Sequence, residues 1–169
     1  ASAPRSAQAW PRAEAPLQWM QKNRRGEAMK ILLAVDGSRP SLDAVACVIR
    51  HADWYREKPV VELLTVHLPV PKLPSLGAAV GKAALQRYYD EEGEASLAAA
   101  KRKLDAAGIE YRAQVLVGDI AESIVKQAKA TRCELIVIGS RGRTGVGSLL
   151  GSTAMKVLHL SDLPVLLAK

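Results

Sequence analysis

Two short stretches of the chain carry residue types suited to a charged ligand. The first is Asp36-Gly37-Ser38, a carboxylate, a glycine and a hydroxyl directly after an apolar run. The second begins at Gly139-Ser140-Arg141-Gly142, continues from Arg143 to Leu150 with Gly145 and Gly147 inside it, and reaches Gly151-Ser152-Thr153. Glycines let a backbone approach a ligand closely and take positive φ, so consecutive N–H groups can point at phosphate oxygens. Gly151-Ser152-Thr153 opens a helical pattern, which adds unsatisfied N–H groups, hydroxyl donors and the positive end of the helix dipole. Arg141 and Arg143 bring charge suited to a di- or triphosphate. The chemistry these types imply is phosphate binding, not bond making.

The standard nucleotide motifs are absent. No G-x-x-x-x-G-K-[ST] occurs, and no G-x-G-x-x-G follows the first apolar run. A glycine-rich loop alone also serves plain turns, so the weight rests on the loop, the helix-opening Gly-Ser-Thr and the distant acidic residue together. His51, His67 and His159 lie far apart with no partner at metal-ligand spacing, which leaves any metal unidentified and reads as surface or helix-end histidines. Ser140 and Ser152 have no paired base, so nucleophilic catalysis is unsupported. Glu91, Glu92 and Glu94 read as a solvated helix face, not a pair of catalytic carboxylates.

These residues need elements to hold them. Ile31-Leu32-Leu33-Ala34-Val35 is an all-apolar run, as expected of a strand buried on both faces. Pro40 is tolerated in the first turn of a following helix, whose expected buried stripe is Leu42, Val45, Ala46 and Ile49. A second strand spans Val60 to Val66, and a Pro-broken stretch covers Leu68 to Gly77. A long helical segment is expected from about Ala78 to Ala107, with Gly81 and Gly93 as weak points and Gly108 as its C′ glycine. Tyr111 to Val117 alternates and reads as a half-exposed strand near a sheet edge.

Asp119 and Glu122 have capping-box spacing, ahead of a buried stripe of Ala121, Ile124, Val125 and Ala128. Leu135 to Ile138 is another apolar strand, a fourth helix runs from Gly151-Ser152 through Val157 and Leu158, and Pro164 opens a last strand, Val165-Leu166-Leu167. Five strands alternating with four helical segments imply a parallel sheet with helices on both faces, with no internal repeat. Ligands in such a sheet sit at the carboxyl ends of strands where the strand order reverses. Asp36 and Gly139 both stand at strand carboxyl ends.

Composition sets the outer limits. The 169 residues are 49% hydrophobic and 24% charged, which suits one globular domain and excludes wholesale disorder. No apolar run approaches the ~20 residues of a membrane-spanning helix. Cys47 and Cys133 are too few for a disulfide framework, so a reduced cytoplasmic protein is expected. The net charge of +7 is uneven, with residues 1–30 holding six basic and two acidic side chains. The remainder is close to balanced and interspersed, and aromatics make up only 4%, so neither a basic face nor a base-stacking platform for nucleic acid is expected. Residues 1–28, rich in Ala, Pro, Ser, Arg and Gln without an apolar core, read as a solvated extension: a leader, a tag remnant or a misplaced start. Leu17, Trp19 and Met20 beside Lys22, Arg24 and Arg25 leave open a small docking segment. The domain itself is read as 29–169.

Taken together these stretches resemble the universal stress protein family in its single-domain, adenine-nucleotide-binding form. The likeness spans Met29 to Lys169 and rests on Lys30 to Ser38, Leu116-Val117-Gly118-Asp119, Ile136 to Gly142, Gly151-Ser152, Lys156-Val157-Leu158 and Pro164 to Leu167. It implies an adenine nucleotide alpha hydrolase-like fold, an α/β five-stranded parallel sheet in the order 3-2-1-4-5. It also implies that Asp36 faces the ribose, that the chain near Val66 and Ile138 lines the adenine, and that the glycine loop surrounds ribose and phosphates. The candidate cofactor-binding residues are therefore Ala34, Val35, Asp36, Val66, Ile138, Gly139, Arg141, Gly142, Gly151, Ser152 and Thr153.

Eight residues separate Gly142 from Gly151 where the family pattern G-x2-G-x9-G-[ST] has nine, a one-residue deletion that bears on the triphosphate contacts. The resemblance implies an ATP- or adenine-nucleotide-binding regulatory protein of the stress response, with ATP, with or without Mg, as ligand. It implies a homodimer through the last strand, with no nucleic-acid or membrane partner and with protein partners unnamed. No catalytic residue is assigned, and ATP hydrolysis is expected to be slow at most, because no P-loop lysine or general base is identifiable. The alternative is a nucleotide-free dimeric interaction module of the same fold, its shortened loop no longer holding phosphate.

Overall fold

The computed structural model describes residues 28–70, 81–141 and 150–169. Its strands are β1 (Lys30–Ala34), β2 (Val60–His67), β3 (Tyr111–Val117), β4 (Leu135–Gly139) and β5 (Val165–Ala168). The helices between them are α1 (Arg39–Arg50), α2 (Lys82–Ala107), α3 (Ile120–Ala130) and α4 (Ser152–Leu160), with a 3-10 turn at Ala52–Trp54. All strands run parallel in the order β3-β2-β1-β4-β5. The expected order and the two-sided helical cover are both present.

The apolar runs explain the centre of the sheet. Ile31, Leu32, Leu33, Val61, Leu63, Ile136 and Val137 are fully shielded from solvent. Alternate residues divide between two cores, as the period of a strand demands. Ile31, Leu33, Val35, Val61, Leu63 and Val137 pack under α1 and α2 with Val45, Val48, Leu97 and Leu104. Leu32, Ala34, Leu64, Ile136 and Ile138 pack under α3 and α4 with Ile124, Val125, Ala154 and Val157. Burying one such side chain contributes about 1.5–3 kcal/mol, so these layers carry the fold.

Local chemistry sets the helix ends. Ser38 is the N-cap of α1 and accepts the Ser41 N–H, with proline in the first turn. Asp119 caps α3 by accepting the Glu122 N–H at 3.1 Å. Gly108, at φ +60°, ends α2 in a left-handed cap with Ile109 N–H donating to the Leu104 carbonyl. The same two-bond cap closes α3, but there the left-handed residue is Arg132 at φ 58°.

Three sequence expectations need correction. The buried stripe of α1 is Ser41, Ala44, Val45 and Val48, while Leu42 and Ile49 only flank the core. The reason is close packing: small residues face the sheet, and the Ser41 hydroxyl is satisfied by the Ser38 carbonyl. Gly93 does not weaken α2, which runs unbroken through it, because a Cβ there would lie 2.5 Å from Val115 of β3. Gly81 is an N-cap, not an interior break. Ala78 and the rest of 71–80 lie outside the described residues, as do residues 1–27 of the expected extension.

Candidate functional site

The turn after β1 is built by its own polar groups. Asp36 Oδ1 accepts the Ser38 N–H at 3.0 Å and the Ser38 hydroxyl, while Gly37 takes φ +76°. A Cβ at Gly37 would come within 3.3 Å of the Ser96 backbone on α2, so the turn also needs glycine for closeness. Asp36 Oδ2 has no hydrogen-bond partner among the described residues. One carboxylate oxygen therefore shapes the turn and the other remains an acceptor at the carboxyl end of the sheet.

β4 ends beside this turn. A Cβ on Gly139 would meet the Pro40 carbonyl oxygen at 2.6 Å, so glycine here lets α1 and β4 touch backbone to backbone. Beyond it Ser140 is buried, donates its N–H to the Ala168 carbonyl at 2.7 Å and accepts the Gly151 N–H at 2.8 Å. That last bond pins the start of α4 to the end of β4, although the intervening residues 142–149 lie outside the described residues. Gly142 among the site candidates, and Arg143, Gly145 and Gly147 of the loop, fall there.

α4 differs from α1 and α3 at its first turn. Its N-cap is Gly151, and no side chain caps it. Among the described residues no side chain caps its leading N–H groups, and Ser152 and Thr153 stand at the positive end of the dipole. Arg141 is exposed on the near side of the loop. Together with Asp36 Oδ2, these groups offer anion donors and a hydroxyl acceptor at one end of the sheet.

The apolar candidates separate by face. Ala34, Val66 and Ile138 belong to the α3–α4 side, where Ala34 and Ile138 are direct neighbours in register. Val35 points into the other core, under α1 and α2, and donates its N–H to the Leu64 carbonyl at 2.9 Å. Its side chain therefore packs in the opposite core from the other three.

The groups set aside on sequence sit elsewhere. His51 closes α1, its Nδ1 2.8 Å from the Cys47 carbonyl, and His159 is exposed on α4. His67 is neither a surface nor a helix-end residue: it ends β2, half-buried near Tyr89, with Nε2 buried and without a hydrogen-bond partner among the described residues. Cys133 is buried and burial pushes its thiol up, which makes it a poor nucleophile. Among the described residues no three His, Cys, Asp or Glu side chains gather to hold a metal ion. Glu91, Glu92 and Glu94 are exposed, and Glu94 pairs with Lys101 at 2.7 Å.

One functional-end contact was not legible in the sequence. Lys156 Nζ on α4 reaches Asp119 Oδ2, the free oxygen of the α3 cap, at 3.3 Å. The Glu122 N–H and then Lys156 hold the Asp119 carboxyl below its ordinary value. Lys129 does the same for Asp162 at the opposite end of α3.

The model of the universal stress protein family matches residues 27–169. The chain belongs to the universal stress protein family. It is 31% identical over 149 residues to the universal stress protein MJ0531 of Methanocaldococcus jannaschii, covering 86% of each chain. A universal stress protein of Thermus aquaticus is 36% identical over 141 residues, with 82% of this chain and 97% of that one covered.

Among solved structures, the MJ0577 protein superposes with a TM-score of 0.69 at 28% identity, over 83% of this chain and 94% of that one. Two more distant universal stress proteins share the fold. One is from Arabidopsis thaliana with AMP bound (TM-score 0.58, 19% identity, 83% and 91% covered). The other is from Archaeoglobus fulgidus in complex with dAMP (TM-score 0.54, 24% identity, 83% and 98% covered). Among the described residues, no helix is long and apolar enough to cross a membrane.

Proposed function

We propose that this universal stress protein binds an adenine nucleotide at the carboxyl ends of β1 and β4 and acts through its bound state. The observation that carries the reading is the pairing of an uncapped α4 N-terminus with the free Asp36 oxygen at that end. The α4 N–H groups with Gly151, Ser152 and Thr153 suit phosphate, and Asp36 suits ribose hydroxyls. Ala34, Val66 and Ile138 offer one face to a base. Gly139 and Arg141 flank the phosphate end, and Gly142 completes the family pattern. Family members with AMP and dAMP bound support this class of ligand.

ATP is the proposed physiological ligand, with Mg accompanying its phosphates. Hydrolysis is slow, because the sequence holds no P-loop lysine and no identifiable general base. Residues 29–169 form the binding unit and 1–28 an extension of it. The unit pairs with its own copy through β5, whose outer edge carries the exposed Leu166. Free Cys47 and Cys133 fit a reducing compartment, the cytoplasm. Mass spectrometry of small molecules released by denaturing the purified protein tests the reading. Adenine nucleotide in near-stoichiometric amount is expected; none released, and none taken up on incubation with millimolar nucleotide, would remove it.

A further inference from the structure

Lys156 stands four residues after Ser152, so the two share one face of α4 about 6 Å apart along the axis. Helical side chains lean toward the N-terminus of their helix, which carries the lysine stem back over Ser152. Its Nζ is therefore carried along the α4 face that begins at Ser152. There it meets Asp119 Oδ2 at 3.3 Å, with both side chains substantially exposed. An exposed pair of this kind is weak and easily exchanged for a stronger partner. A phosphate chain is such a partner, since it carries more charge than one carboxylate and accepts charge-assisted bonds.

We infer that Lys156 reads the length of the phosphate chain, staying with Asp119 beside a nucleoside monophosphate and turning to the terminal phosphates of a triphosphate. This rests on the nucleotide-binding reading above and adds a residue that is not among its proposed ligand contacts. Asp119 opposes the exchange twice, by holding the ammonium and by placing a negative charge near the incoming phosphates. Its other oxygen still caps α3 through the Glu122 N–H, so the cap does not depend on the lysine. The preference between triphosphate and monophosphate is thus set by a pair on two different helices.

The test compares AMP and ATP affinities, by calorimetry on the full chain, for the native protein, Lys156→Gln and Asp119→Asn. Lys156→Gln is expected to weaken ATP about tenfold and leave AMP within about twofold. Asp119→Asn keeps a side-chain cap, because asparagine caps helices as well as aspartate, and is expected to tighten ATP but not AMP. Lys156→Arg should retain the ATP preference. Equal losses for both ligands, or none for either, would overturn the role of Lys156 and leave nucleotide binding standing. Native protein that binds neither AMP nor ATP would overturn both.

Discussion

Asp36 does two things with two oxygens. Oδ1 locks the turn through Ser38, and Oδ2 has no hydrogen-bond partner among the described residues. An alanine there would lose the turn and the acceptor together, so its effect would be hard to read. Asparagine keeps an oxygen for the Ser38 N–H and removes the charge. Asp36→Asn should therefore weaken AMP about tenfold or more, since a charge-assisted hydrogen bond contributes about 1.5–3 kcal/mol. Its melting temperature should stay close to native. A large drop in melting temperature with unchanged affinity would make Asp36 a turn residue only. Gly139 shows the complementary case: its position at the strand end was legible, but the contact that demands glycine is with Pro40, nearly a hundred residues earlier.

The elements were legible to the degree that their causes are local. All-apolar runs marked β1 and β4, and Pro40, Asp119 and Gly108 marked helix ends, because capping and φ preferences act within a few residues. What escaped the sequence depends on partners far along the chain. The α1 stripe shifted to Ser41 and Ala44 because β4 comes so close, and Gly93 fits α2 because Val115 lies over it. The Lys156–Asp119 pair spans 37 residues and has no local signature.

The two left-handed helix caps yield a prediction at this scale. Gly108 adopts that conformation without penalty, whereas Arg132 carries a Cβ against its own carbonyl. Arg132→Gly should stabilise the protein by about 0.5–1 kcal/mol, less than the full relief because glycine gains freedom when unfolded. Chemical denaturation with an unchanged slope and a higher midpoint would bear this out. A lower midpoint would show that the arginine side chain contributes more than its backbone costs.

The whole molecule has two sheet edges of different character. β3 presents the exposed Arg112 and Gln114, with Gln114 bonded to Gln127, and such polar edges resist pairing. β5 presents Leu166, 40% exposed, on the α1 face of the sheet, while Val165 and Leu167 face α4, whose Met155, Leu158 and Leu160 are 55%, 40% and 41% exposed. An unpaired, apolar edge strand favours a two-fold partner on that side. Leu166→Glu should convert a micromolar dimer to a monomer in sedimentation while leaving the buried core untouched. A native monomer at that concentration would refute the β5 interface.

Nucleotide binding belongs to this scale too, because it needs the β1 turn, the β4 end and the α4 start together. Calorimetric titration of the full chain with AMP tests it most directly. The account predicts one saturable site per protomer that ribose 5-phosphate fills more weakly, since it lacks the base that Ala34, Val66 and Ile138 would face. Protein carrying no nucleotide through purification and showing no heat of binding at millimolar AMP would contradict it.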